Sequence, residues 1–148
     1  MRKQLLLALI LFISSPLFSQ GPVNWNFSVK KISDKVYDLY FTANVIPGWH
    51  LYSQTSPEGG PDPTTILFNK NPLLIYEGKI KENGELLEKF EDVFGVVVKY
   101  YEDKVDFIQR VRLKSNIKTI ANGKLGFMTC NDEKCLPFAE LPFKFQIQ

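Results

Sequence analysis

Apolar and polar residues alternate with a two-residue period along much of the 148-residue chain. Trp25, Phe27 and Val29 alternate with Asn26, Ser28 and Lys30, and after a Ser33-Asp34 break Tyr37, Leu39, Phe41 and Ala43 resume the same period. A strand turns successive side chains to opposite faces, so both segments read as half-buried strands. Thr65 to Phe68, Leu73 to Tyr76, Val96 to Tyr101, Val105 to Leu113, Lys124 to Thr129 and Phe143 to Ile147 are short, β-branched or aromatic, and punctuated by Gly, Pro, Asn or Asp. About eight strands follow from this pattern. Only Glu82 to Phe90 has helix-forming composition, and Asn83-Gly84 interrupts it, which limits the expectation there to one helical turn or a loop. Short strands at regular spacing, nine prolines and no sustained 3.6-residue period predict an all-β protein, an immunoglobulin-like antiparallel β-sandwich, rather than βαβ units.

The first 20 residues break the pattern. Met1, Arg2 and Lys3 precede an apolar run from Leu5 to Ile13, followed by Ser14, Ser15, Pro16 and the small Ser19 before Gln20. This is the layout of a secretory signal peptide, and its apolar core is far below the roughly 20 residues of a membrane-spanning helix. Residues 1–20 are therefore expected to be cleaved, leaving 21–148 as one domain in the periplasm or otherwise exported. Removing Arg2 and Lys3 from the 18 basic residues leaves 16 against 16 acidic ones. A neutral domain without a basic stripe has no footprint for nucleic acid, whose binding rests on phosphate neutralisation. A domain of this length buries about two-thirds of its unfolded surface, so stability does not require a disulfide.

Chemistry concentrates in two cysteines, Cys130 and Cys135, around the polar tip Asn131-Asp132-Glu133-Lys134. Read as a hairpin with arms Lys124 to Cys130 and Cys135 to Phe138, the tip sets the cysteines opposite each other, roughly 4.5 to 5.5 Å apart at Cα, within disulfide range. A structural staple is one reading, ordinary in an oxidising compartment. Closing so short a loop contributes only about 2 kcal/mol, however, and an exposed cross-strand disulfide is open to an attacking thiolate. Spacing alone leaves staple and redox pair open. A metal site with His50 as a third ligand has no matching spacing, and one histidine supports no Ser-His-Asp arrangement. Lys134 favours a thiolate at Cys135, whereas Asp132 and Glu133 disfavour one at either cysteine.

The run Gly126-Phe127-Met128-Thr129-Cys130-Asn131-Asp132-Glu133-Lys134-Cys135-Leu136-Pro137 resembles the active-site hairpin of the N-terminal periplasmic domain of the thiol:disulfide interchange protein family DsbD. Pro47-Gly48-Trp49-His50-Leu51-Tyr52 is similar to that family's aromatic segment, Phe90-Glu91-Asp92-Val93-Phe94-Gly95 to its cap loop, and Gly59-Gly60-Pro61 with Pro63 and Thr64 to the segment after the aromatic motif. The resemblance extends over essentially all of residues 22 to 148.

The resemblance implies an immunoglobulin-like sandwich that moves electrons by thiol-disulfide exchange through Cys130 and Cys135, without a metal or small-molecule cofactor. It implies that Cys135 forms the mixed disulfide with a partner and Cys130 resolves it. The cap loop, with Asp92, Phe94 and Gly95, would shield the sulfurs, Phe94 as the cover and Gly95 supplying hinge freedom. His50 and Tyr52 fall near the active site. The implied partners are thioredoxin-like proteins, with periplasmic disulfide isomerases or cytochrome c maturation thioredoxins as acceptors. The 148 residues include no membrane conduit or C-terminal thioredoxin-like domain, so a monomeric domain served by a separate membrane electron conduit is expected. Four residues between the cysteines, against five in the family pattern, leave turn geometry and potential open. The alternative is a secreted, non-catalytic binding module whose disulfide pins a loop, with recognition by an aromatic surface at Trp49 and Tyr52.

Overall fold

The computed structural model describes residues 21–148, so the expected export signal lies outside the described residues. Among the described residues eleven strands form: β1 (Val23–Ser33), β2 (Val36–Val45), β3 (His50–Tyr52), β4 (Thr65–Phe68), β5 (Leu74–Gly84), β6 (Leu87–Glu91), β7 (Val96–Tyr101), β8 (Lys104–Leu113), β9 (Thr119–Phe127), β10 (Thr129–Cys130) and β11 (Ala139–Ile147). All pairings are antiparallel, in three sheets of order β1-β2-β8-β5, β11-β9-β4 and β10-β3-β7-β6. The alternation that predicted the strands is the alternation that fills the core. Leu39, Phe41 and Ala43 of β2 and Val105, Phe107 and Val111 of β8 are buried, facing Leu125 of β9 and Phe143, Phe145 and Ile147 of β11.

Phe41 sits at the centre of this sandwich. Its ring meets Phe143 edge-on at 4.8 Å and Phe145 at 5.0 Å. Each such pair adds about 0.5–1.5 kcal/mol to the burial of the rings. Leu51 and Tyr101 of the third sheet reach the same core with one face. The other face of that sheet supports a smaller cluster of Tyr52, Val98, Tyr100 and Cys130, with Leu87, Val96 and Met128 against it.

Two local expectations are corrected. Glu82 to Phe90 holds no helical turn: Glu82 to Gly84 completes β5 against β8, and Leu87 opens β6 against β7. Helix propensity loses to pairing there, because Leu87 packs on the Tyr100 cluster and Gly84 lies so close to β8 that a Cβ would stand 2.8 Å from the Lys104 carbonyl oxygen. The expected long cysteine hairpin is also shorter than read. Lys124 to Phe127 pair with β4 and β11, not with Cys135 to Phe138. At Met128 the chain then leaves the second sheet for the third, where Thr129 and Cys130 pair with Leu51 and His50.

Candidate functional site

That change of sheet positions the cysteines. Cys130 enters the third sheet at its edge, and the chain turns back at once, so that Cys135 forms a lone antiparallel bridge to Cys130. The two are disulfide-bonded with Cα atoms 3.9 Å apart, closer than the opposed-strand expectation. Hydrogen bonds within the loop account for the tightness. Asn131 N–H donates to the Lys134 carbonyl (2.8 Å) and Leu136 N–H to the Thr129 carbonyl (2.9 Å). The Asn131 side chain accepts from the N–H groups of Glu133 (3.0 Å) and Lys134 (2.8 Å). Asn at the first loop position thus closes the turn through its own carboxamide.

The two sulfur-bearing residues differ in exposure. Cys130 is 4% exposed within the Tyr52, Val98 and Tyr100 cluster, whereas Cys135 is exposed. Both line a cleft of about 290 Å³ together with His50, Tyr52, Lys89, Glu91, Val93, Phe94 and the loop residues 131–134. The cap segment and the cysteine loop, 35 residues or more apart in sequence, are thus walls of one cavity because β6 and β7 lie beside β3 and β10. The β6–β7 turn spans Asp92 to Gly95; Phe94 and Gly95 N–H groups both donate to the Glu91 carbonyl (3.1 and 2.7 Å), and Gly95 adopts φ +70°. That left-handed conformation favours glycine. Phe94 is 40% exposed and is no core aromatic. Asp92 is exposed and does not line the cleft.

His50 is the register partner of Cys130. Its ring lies on Tyr100 at 4.5 Å and its Nε2 is 3.2 Å from Glu102 Oε1. Tyr52 is buried, and burial, the Glu91 carboxylate and Tyr100 push its hydroxyl up to about 12, so it stays a neutral donor across the physiological range. Burial raises Tyr100 as well, with the Glu102 charge adding to it. Lys89 holds Glu91 at 3.1 Å, and that bond raises the ammonium. The cleft therefore carries three carboxylates, Glu91, Asp132 and Glu133, against two ammonium groups, Lys89 and Lys134. Lys89 and Glu102 were missed in the sequence, and Glu91 was named only within the cap-loop run; strand register brings Lys89 and Glu91 to the cleft and Glu102 to His50, and no local spacing signals it. The aromatic surface expected at Trp49 and Tyr52 does not form, because Tyr52 is buried and Trp49 packs half-buried on the main core.

No protein-family model matches the sequence, and no curated protein does. Solved structures do. The N-terminal periplasmic domain of ScsB from Proteus mirabilis superposes with TM-score 0.60 at 17% identity, over 84% of this chain and 46% of that one. The N-terminal domain of Neisseria meningitidis DsbD in its reduced form superposes with TM-score 0.51 at 15% identity, over 82% and 83% of the two chains. The chain has the DsbD N-terminal-domain fold. That fold is the immunoglobulin-like antiparallel sandwich expected from the strand pattern. The chain spans about half of the ScsB chain it matches and most of the DsbD domain. In this DsbD-like frame the disulfide and the β6–β7 turn line one cleft on the third sheet.

Proposed function

We propose that residues 21–148 form a periplasmic thiol-disulfide exchange domain, exported by a cleaved signal at residues 1–20, that carries an electron pair on Cys130 and Cys135. The observation that supports this best is the asymmetry of the disulfide: Cys130 is held in the sheet and Cys135 is exposed at the cleft. An incoming thiolate reaches the Cys135 sulfur, joins it in a mixed disulfide and displaces Cys130 as the leaving thiolate. A second thiol of the donor then releases it, and the domain departs reduced. In the return step the Cys135 thiolate attacks an acceptor disulfide and Cys130 resolves the product. The donor is a thioredoxin-like protein served by a separate membrane electron conduit, and the acceptors are periplasmic isomerases or cytochrome c maturation thioredoxins. Phe94, on the opposite wall, covers the sulfurs until a partner displaces the β6–β7 turn, with Gly95 as its hinge.

The reduction potential tests the reading. A value well below about −300 mV marks an inert structural disulfide and would refute the shuttle. The roles are separable by trapping: Cys130→Ala accumulates a mixed disulfide through Cys135, and Cys135→Ala does not. The reverse pattern reverses the assignment.

A further inference from the structure

Across the third sheet, perpendicular to its strands, four residues lie side by side. Glu102 follows β7, His50 opens β3, Cys130 ends β10, and Cys135 bridges to Cys130 from beyond the sheet edge. Each neighbour pair is fixed by an independent observation: the 3.2 Å Glu102–His50 contact, the Cys130–His50 register, and the Cys130–Cys135 bridge. Directly opposed residues hold their Cβ atoms roughly 4.5–5.5 Å apart, within reach of an imidazole. A carboxylate, an imidazole and a thiol in that order form the arrangement in which an acid orients a base toward a sulfur. With Nε2–H donating to Glu102, the neutral ring keeps Nδ1 as its acceptor.

We infer that His50 is the general base for the resolving sulfur Cys130 and that Glu102 is its positioning residue. This rests on the exchange reading above and goes beyond it, since a buried thiol needs a proton acceptor that bulk water does not supply. In the resolving step the partner is bonded to Cys135 and Cys130 is a thiol. The Cys130 S–H bond breaks and its proton passes to His50, while the sulfur electron pair forms the bond to Cys135. The bond from Cys135 to the partner breaks, both electrons leaving with the partner's thiolate, which takes a proton from water. His50 returns its own proton to water. The cysteine pair is oxidised by two electrons and the partner disulfide is reduced by two.

The groups that face His50 set the pH response. They are Glu102 after β7, Tyr100 on β7, Tyr52 on its own strand and Cys130 on β10, with Lys89 and Glu91 of β6 and Asp132, Glu133 and Lys134 of the cysteine loop around the same cleft.

The test uses the reduced full chain and dithio-bis-nitrobenzoate, an aromatic disulfide that releases one coloured thiolate on mixed-disulfide formation and a second on resolution. His50→Gln slows the second release about 100-fold and leaves the first within about twofold. The rise of the second rate with pH, carried by the imidazole, disappears. Glu102→Gln, an exposed change that keeps His50, slows the second step less and shifts the same limb. Reduction potentials of both variants are measured alongside, and the slowing of the second release exceeds any change in the equilibrium between oxidised and reduced forms. An unchanged second rate and pH profile in both variants, with wild type resolving normally, overturns the inference. A wild type that gives no second release at all instead sinks the exchange reading beneath it.

Discussion

Removing the Glu82 carboxylate tests how the site-bearing sheet is attached to the sandwich. Glu82, on β5 of the first sheet, accepts from Ser53 Oγ (2.7 Å) and Tyr101 OH (2.6 Å) on Oε2, and from the Gln54 N–H (2.7 Å) and Nε2 (3.1 Å) on Oε1. Ser53 and Gln54 directly follow β3, and Tyr101 ends β7, so one side chain pins both central strands of the third sheet. In Glu82→Ala the hydroxyl of Tyr101, a residue only 2% exposed, loses its carboxylate acceptor. An orphaned buried donor costs about 1–3 kcal/mol, and losing the charge-assisted bond from Ser53 adds roughly 1–2 more. The expected loss is about 3 kcal/mol, seen as a fall in melting temperature of roughly 10 °C in thermal unfolding followed by circular dichroism. Tyr101→Phe alone costs about 1 kcal/mol, since the carboxylate keeps its other donors. In the double variant no hydroxyl is left to orphan. It is therefore expected to be more stable than Glu82→Ala alone, with a coupling of at least about 1 kcal/mol. Additivity of the two changes within about 0.5 kcal/mol would refute the reasoning.

Phe94→Ala, at a 40% exposed ring on the cleft wall, is expected to speed reduction of the disulfide by dithiothreitol several-fold while leaving thermal stability within about 0.5 kcal/mol; equal rates remove Phe94 as the cover. Asp38 receives Arg110 through Nε (2.8 Å) and Nη2 (2.9 Å), and that bond holds its carboxyl below the ordinary range. Its contribution, about 1–2 kcal/mol, is thus present above the unfolded value near 3.9 and lost as pH falls below it toward the folded one. Asp38→Asn flattens that acid limb in a denaturation series between pH 2 and 6, and a limb identical to wild type rules the pair out. Gly123→Ala places a Cβ 2.0 Å from the Leu67 carbonyl oxygen and 2.7 Å from the Phe143 ring. Since β4 and β9 pair there, a loss above about 3 kcal/mol is expected in urea unfolding.

The eight strands legible in the sequence are β1, β2, β4, β5, β7, β8, β9 and β11, and the three that were not are β3, β6 and β10. All three belong to the third sheet, which carries the site. They are three, five and two residues long, too short for a two-residue period to declare itself. In β6 the sequence Leu87-Glu88-Lys89-Phe90-Glu91 even favours a helix, and only pairing with β7 decides otherwise. The cysteines, His50, Tyr52 and Phe94 could be singled out because residue type and motif order mark them. Glu102, Glu91, Lys89 and Glu82 could not, since each acts across a strand register that no local window contains. Residues of the candidate site on such short strands are legible by chemistry and illegible by period.

The loop that holds the disulfide bears on how reduction would affect the domain. Closing six residues contributes about 2 kcal/mol by the loop-entropy relation, a small share of a domain's stability. The backbone bonds from Asn131 to Lys134 and from Leu136 to Thr129, and the two bonds to the Asn131 carboxamide, do not pass through sulfur. Cys130 is further held by pairing to His50 and by packing on Tyr52, Val98 and Tyr100. Breaking the sulfur bond therefore leaves the thiols facing each other in a loop already closed by other means. Little reorganisation is therefore expected between the oxidised and reduced forms, which is the condition for an electron pair to pass in either direction without the barrier of refolding a segment.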